Sequence, residues 1–229
     1  DQAKGPVANP VEMGLSDVDE AMARVIAIPG YKPYFEEAFG PDALTVDNAA
    51  KAVAAFERTL ITPNSPYDKY VKGDKQAMTE QQIRGMNTFE STGCVACHSG
   101  AAFNGPAMKA GEGFYAKFPT FADSDYVATY KLDQDKGRAE VTSKDADANM
   151  FRVPTLRNIT DTAPYFHNGA VNDLHEAVRI MAKTQLNREL ADGDVDDIVA
   201  FLGALTGEYP SITMPRLPAT SGTSLVADR

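Results

Sequence analysis

The chain has 229 residues, 43% of them hydrophobic and 24% charged, and its formal net charge at pH 7 is −10. This length and composition are typical of a globular protein with one substantial core or two small ones. The summed negative charge would repel phosphate groups, which argues against nucleic acids and anionic membrane surfaces as partners. The sequence has no apolar run of about 18 residues and no signal-peptide pattern at its start, so we expect a soluble chain without a membrane span.

The predicted elements are helices. In chain order, they are two less regular helices at about 17–28 and 33–39, then four regular ones at 45–60, 79–90, 173–183 and 194–205. Thr45 and Thr79 stand at N-cap positions, and Gln82 completes a capping-box pattern with Thr79. Roughly seventy residues before Asn172 show no sustained helical period, and loops that long are uncommon unless they serve a function.

The helix predicted at 45–60 has a well-defined apolar face. This face consists of Val46, Ala49, Val53, Phe56 and Leu60. Residues at this spacing lie on one side of a helix, so we expect the face to pack against a core.

The only two cysteines of the chain stand three residues apart, and a histidine follows the second, in the order Cys94, Cys97, His98. A disulfide across this spacing would close a very small, strained loop. A thioredoxin-like redox pair needs a βαβ context, which the helical pattern does not provide. A zinc site needs further ligands, whereas His167 and His175 are about seventy residues away. Covalent haem attachment uses all three residues: two thiols add to the haem vinyl groups, and His98 reaches the iron.

The second axial position of such an iron decides its chemistry. Methionine there favours electron transfer, and an open position favours binding of a small oxidant. Met181 lies on the apolar face of its predicted helix, which by periodicity favours a core role. His175 is expected to face solvent, and His167 lies in a loop where it can bond a haem propionate or the backbone. The residues by themselves leave the second ligand open.

Six segments of the sequence resemble the bacterial dihaem cytochrome c peroxidase family, in that family's order and over nearly the whole chain. They are QAKGPVANPVEMG, AFERTLITPNSPYDKY, GCVACHSG, DKGR, FRVPTLRNITDTAPYFHNG and AVRIMAKTQL. The resemblance implies an all-α fold, with a cytochrome c-like helical haem domain with long irregular loops and the remnant of a second such domain. It divides the chain into the end of a peroxidatic-haem domain with linker helices (1–70), an electron-transferring cytochrome c domain (71–210) and an extended C-terminal arm (211–229).

The family resemblance also implies the haem ligands. Cys94, Cys97 and His98 match the family's electron-transferring haem, and Met181 matches its axial methionine. The family has two Cys-x-x-Cys-His motifs, whereas this sequence has one. The resemblance therefore implies one covalent haem c in this chain and a second in the full-length family member. Arg138 is a candidate partner for a haem propionate, with an ordinary surface role as the alternative.

Further site residues follow only from the resemblance. Gln2 and Glu12 match the family's peroxide pocket, with Glu12 as acid and base for cleavage of the peroxide bond and Gln2 as a hydrogen-bond donor. The backbone carbonyls of Thr162 and Pro164 match two protein ligands of the family's calcium ion, a hard cation that carbonyl oxygens can hold.

The implied function is reduction of hydrogen peroxide by a c-type haem oxidoreductase. Electrons from a small cytochrome c or a cupredoxin would enter at the His98/Met181 haem. The alternative is a monohaem electron-transfer module without peroxidase activity. A related branch that matures tryptophylquinone cofactors has a tyrosine where Met181 stands, so the methionine argues against it. The resemblance also implies a periplasmic location and a homodimer.

Overall fold

The computed structural model describes residues 1–109 and 111–219 and is predominantly helical, which confirms the all-α prediction in its general form. The ten α-helices of the described residues are α1 (Gly5–Ala8), α2 (Val18–Ile26), α3 (Tyr31–Phe39), α4 (Val46–Glu57), α5 (Pro66–Val71), α6 (Glu80–Thr92), α7 (Asp125–Tyr130), α8 (Arg138–Thr142), α9 (Leu174–Leu186) and α10 (Asp192–Gly203). None of these helices has both the length and the apolar character needed to cross a bilayer.

Short elements complete the described part of the chain. Strands β1 (Tyr115–Lys117) and β2 (Met150–Arg152) pair antiparallel, with Ala116 opposite Phe151. The 3₁₀ helices are Gln2–Lys4, Cys94–Ala96, Asp145–Asp147 and Ile159–Asp161. Of the predicted C-terminal arm, residues 211–219 form neither helix nor strand, and residues 220–229 lie outside the described residues.

The chain divides into two compact units. The first unit contains residues 1–61 together with 209–219, and the second contains residues 62–208. The division proposed from the sequence was placed at residues 70 and 210, whereas the compact units divide after Ile61 and Glu208.

The first unit has little core of its own. Helix α4 begins at the predicted cap, where the Thr45 side chain accepts a hydrogen bond from the Asn48 amide at 3.2 Å. The expected burial of its apolar face is wrong, because Val53 and Phe56 are each 47% exposed. The predicted face is only partly covered, and Met22 and Ala43 are the only buried residues described in this unit.

The core of the second unit is built where α6 crosses α10. The predicted capping box at the start of α6 is confirmed, with Thr79 and Gln82 bonding reciprocally at 2.9 and 3.2 Å. Gly85 lies at the crossing, where a Cβ atom would come 1.7 Å from the carbonyl oxygen of Asp197. The first cluster, which fills this core, consists of Met78, Phe89, Phe103, Ile198, Phe201, Leu202, Ala204 and Leu205.

Helix α9 contributes Ala177 and Ile180 to a second set of buried residues. The second cluster consists of Phe118, Val127, Leu132, Tyr165, Val171, Ala177 and Ile180. Leu174 and Ile159 pack against both clusters, so α9 links the two parts of the core. The sequence did not predict the short elements α5, α7, α8 and the strand pair, because segments of a few residues show no clear hydrophobic period.

Candidate haem-binding site

The cysteine motif forms a single tight turn at the end of α6. Gly93 caps that helix in the left-handed conformation with φ 106°, which glycine adopts without steric cost, and so redirects the chain. The Cys94 carbonyl then accepts hydrogen bonds from the Cys97 amide at 3.2 Å and the His98 amide at 2.9 Å. Both cysteines are free and half-buried. The turn therefore brings two thiols and an imidazole together, as the spacing predicts.

The His98 ring is buried and held at one of its two nitrogens. Its Nδ1 lies 3.0 Å from the Phe103 carbonyl oxygen, and because a carbonyl only accepts, Nδ1 carries the proton. Burial lowers the pKa of His98, with the hydrogen bond to Phe103 acting in the opposite direction. Within the described residues, Nε2 makes no hydrogen bond. A neutral imidazole with Nδ1 bonded to a carbonyl and Nε2 free is the usual state of a metal-ligating histidine.

The thiols fit covalent attachment better than the alternatives. Burial raises the pKa of Cys94 to about 11, so this thiol lacks the thiolate character of a redox-active cysteine. Among residues 1–109 and 111–219, no group of three or more His, Cys, Asp or Glu residues is placed to hold a metal ion. Cys94, Cys97 and His98 are therefore not grouped as a zinc-ligand set among the described residues. Three separate bonds to one large planar group are compatible with this arrangement.

Met181 lies on α9, half-buried, with its side chain packed against the second cluster. Val178, one turn earlier, packs against the first cluster, as does Cys94. At the far end of α9, Leu186 approaches the motif turn, because a Cβ atom at Gly93 would lie 3.9 Å from its Cδ2. The structure therefore places Met181 on a helix that packs beside the motif.

The exposed His167 is stacked on aromatic rings. Its ring lies 4.3 Å from that of Phe151, nearly parallel at 21°, and meets Phe118 edge-on at 5.9 Å. Burial of part of the ring lowers the pKa of His167, and Asp135 opposes this effect. A cleft of about 790 Å³ opens beside it. None of the four predicted haem-binding side chains lines that cleft.

Two other candidates are engaged by protein groups. Arg138 pairs with Asp147 at 3.2 Å and lies 4.4 Å from the centre of the Tyr115 ring. His175 is half-exposed and lies 3.5 Å from Asp196. Neither residue is oriented towards the motif by these contacts.

The residues assigned to the peroxide pocket and to calcium lie on the surface. Gln2 is exposed in the first 3₁₀ helix, and Glu12 is exposed in a turn where its amide donates to the Asn9 carbonyl at 3.0 Å. Thr162 and Pro164 are exposed in the loop after the last 3₁₀ helix. Their roles stay predictions.

Phe103 was not predicted from the sequence, because the group that contacts His98 is its main-chain carbonyl and not its side chain. Its carbonyl orients His98, and its ring is buried among Phe89, Phe201 and Tyr67 at centroid distances of 6.4, 6.0 and 5.2 Å. Every residue type carries a carbonyl, so the sequence offers no direct signal. The nearest indication is an aromatic residue between Gly100 and Gly105, where the chain can turn back towards the motif.

A buried imidazole whose Nε2 has no hydrogen bond among the described residues, on one turn with two free thiols, has the features expected of the protein side of a c-type haem site. Comparisons with known proteins find matches among the cytochrome c peroxidases. A family model described as di-haem cytochrome c peroxidase matches residues 1–76. The cytochrome c551 peroxidase of Nitrosomonas europaea is 41% identical over 96% of this chain, and that of Pseudomonas aeruginosa is 42% identical over 98%.

Over nearly its whole length the chain is similar to members of the di-haem cytochrome c peroxidase family. It spans 62% of the length of each of these two relatives. Among solved structures, a MauG-like protein associated with microbial copper homeostasis matches with a TM-score of 0.73 and 28% identity, over 90% of this chain and 68% of that one.

Proposed function

We propose that this chain carries the electron-transferring haem of an oxidoreductase that reduces hydrogen peroxide. The observation that supports the proposal most is the motif turn, with His98 oriented for ligation, in a chain so similar to two cytochrome c551 peroxidases. The second unit would be a cytochrome c-like domain. Its electrons would come from a small cytochrome c or a cupredoxin.

Each ligating residue has a defined task. Cys94 and Cys97 would hold haem c through two thioether bonds, and His98 would bind the iron through Nε2. Met181 would provide the second ligand, which raises the reduction potential. The bound haem would supply one-electron transfer. The apolar clusters on either side of α9 would keep water away from the group, and a dry surrounding is one of the factors that set the potential.

The peroxide chemistry would need a second haem, on sequence outside these 229 residues. Glu12 would take a proton from one peroxide oxygen and return it to the other, while Gln2 would donate a hydrogen bond. The first unit exposes Val11, Val53 and Phe56 by 88%, 47% and 47%. Large apolar residues exposed this far fit a surface that packs against a further domain.

A monohaem electron-transfer module is the second candidate. It is favoured by the single Cys-x-x-Cys-His motif among the 229 residues. In this case donor oxidation would proceed without peroxide turnover.

A chimaera separates the two candidates. Joining this chain to the sequence that precedes the match in the Pseudomonas aeruginosa relative should give two haems per polypeptide and peroxide turnover. In that chimaera, Glu12→Gln should abolish turnover and leave electron entry intact, because only proton transfer is removed. Haem content is measured as the pyridine haemochrome, and turnover as peroxide-dependent oxidation of a reduced cytochrome c. The matched control is the exposed Glu57→Gln, at the end of α4.

A chimaera with two haems and no turnover would contradict the peroxidase proposal and leave the electron-transfer module. Unchanged turnover in the Glu12 variant would remove Glu12 from the mechanism.

For the 229-residue chain with its haem, Met181→Leu should lower the reduction potential and abolish the methionine-to-iron charge-transfer band. Leucine preserves the volume and removes the thioether. The control Met86→Leu changes another half-buried methionine, which packs against the first cluster, and should leave both unchanged. Equal spectra and potentials for the wild type and the Met181 variant would exclude Met181 as the ligand.

Three further features belong to the proposal. A calcium ion would be held in part by the Thr162 and Pro164 carbonyls. The holoprotein would be periplasmic, because haem c is attached on the outer side of the bacterial inner membrane. It would form a homodimer.

A further inference from the structure

Arg157 makes a dense set of contacts within the second unit. Its Nε and Nη2 donate to the Ala101 carbonyl at 2.9 and 2.8 Å, and its Nη1 donates to the Ser65 hydroxyl at 3.0 Å. Nη2 also pairs with Asp68 at 2.9 Å. The Arg157 side chain is 18% exposed, so little water competes for these bonds. The guanidinium is thus fixed in place on three sides.

The carbonyl loop, Ala101–Phe103, is held by the same segment of chain at a second point. The Thr155 hydroxyl donates to the Ala102 carbonyl at 2.7 Å, and the Leu156 amide donates to that oxygen at 3.3 Å. The Arg157 guanidinium also lies 5.5 Å from the centre of the Phe103 ring, within the range of a cation–π contact. Each residue of the carbonyl loop is therefore contacted by Thr155, Leu156 or Arg157.

The last residue of the loop needs this support. Phe103 has φ 53°, in the left-handed region, which is sterically unfavourable for a non-glycine residue. Such a conformation persists where the surroundings hold it. In this conformation the Phe103 carbonyl oxygen accepts a hydrogen bond from His98 Nδ1–H, with the nitrogen and oxygen 3.0 Å apart. Any movement of the loop would lengthen or bend that bond.

We propose that Arg157 and Thr155 are positioning residues for His98, acting through the carbonyl loop. The inference rests on the proposed function in one respect, namely that His98 ligates the haem iron. A hydrogen bond at Nδ1 fixes the ring plane and raises the basicity of Nε2. A more basic ligand stabilises the oxidised iron, so loosening the loop raises the reduction potential.

The test uses the 229-residue chain loaded with haem and compares Arg157→Gln with the wild type. The variant should shift the NMR resonance of the His98 ring N–H, speed its exchange with solvent and raise the reduction potential. Arg157→Lys keeps the charge and loses the planar fork, so it should restore only part of the wild-type values. The control is Arg84→Gln, which removes the two-point pairing with Asp197 at 3.0 and 3.2 Å and should leave all three readouts unchanged.

Asp68→Asn distinguishes an effect that acts through the carbonyl loop from one that acts through the ion pair of Arg157 with Asp68. It weakens the ion pair and leaves the donors to Ala101 in place, so the His98 readouts should move much less than in Arg157→Gln. Equal shifts in the two variants would overturn the proposal, because the effect would then arise at α5. Unshifted His98 readouts in Arg157→Gln would also overturn it.

If Arg157→Gln does not fold, two substitutions of Thr155 test the proposal instead. Thr155→Val removes the donor to Ala102 and should shift the ring N–H resonance, and Thr155→Ser should restore it. No shift in the valine variant would overturn the proposal. A wild-type chain without an axial histidine on its haem would instead refute the proposed function, so the two failures are distinguishable.

Discussion

Replacing both Cys94 and Cys97 by alanine is expected to abolish covalent haem attachment. In the proposed site each thiol would supply one thioether bond, and the chain has no other cysteine to replace it. Either single variant retains one bond and should show the altered haemochrome spectrum of a haem with one unreacted vinyl group. The measurement is haem staining after denaturing electrophoresis, together with the pyridine haemochrome spectrum.

The control for this prediction is Val95→Ala. Val95 lies between the cysteines on the same turn and is 37% exposed, so its truncation should leave haem content unchanged. Haem that remains bound to the double alanine variant after denaturation would contradict the assignment of the two thiols. A wild-type chain without haem, after expression with the haem-ligation machinery, would contradict it as well.

Gly85→Ala is expected to lower the free energy of unfolding by roughly 3 kcal/mol, the upper part of the usual range for overpacking. The added Cβ atom would lie 1.7 Å from the Asp197 carbonyl oxygen and 2.9 Å from the Phe201 Cβ. The first of these atoms is backbone, so α6 and α10 must move apart. The higher helix propensity of alanine offsets only about 1 kcal/mol of the cost. Urea unfolding of the haem-loaded chain, followed by circular dichroism, measures the change.

Gly203→Ala is the matched control for Gly85→Ala. Gly203 is the last residue of α10, and a Cβ atom there would meet nothing within 4 Å. Its replacement should change stability by less than about 1 kcal/mol, in the stabilising direction. Equal free energies of unfolding for the two variants would contradict the close approach of α6 and α10 at Gly85.

Local patterns predicted the three long helices of the second unit, α6, α9 and α10. The helix α6 was predicted from a capping box and an apolar stripe, both of which involve residues a few positions apart. The same reasoning predicted α4 and its cap at Thr45 but was wrong about burial of its apolar face. Periodicity identifies an apolar side of a helix, whereas burial depends on what covers that side. In the first unit, Val53 and Phe56 are covered over only about half of their surface.

The sequence by itself determined the motif turn at 94–98, because the spacing of Cys94, Cys97 and His98 is local and one turn of chain contains all three. Only the tertiary structure showed that the Phe103 carbonyl meets His98 Nδ1 and that Arg157, 54 positions after Phe103, lies against the Phe103 ring. The close approach at Gly85 likewise depends on a helix more than a hundred positions away. Hydrogen-bonding turns and periodicity are encoded among neighbouring residues, whereas close contacts and burial arise only when distant segments pack together.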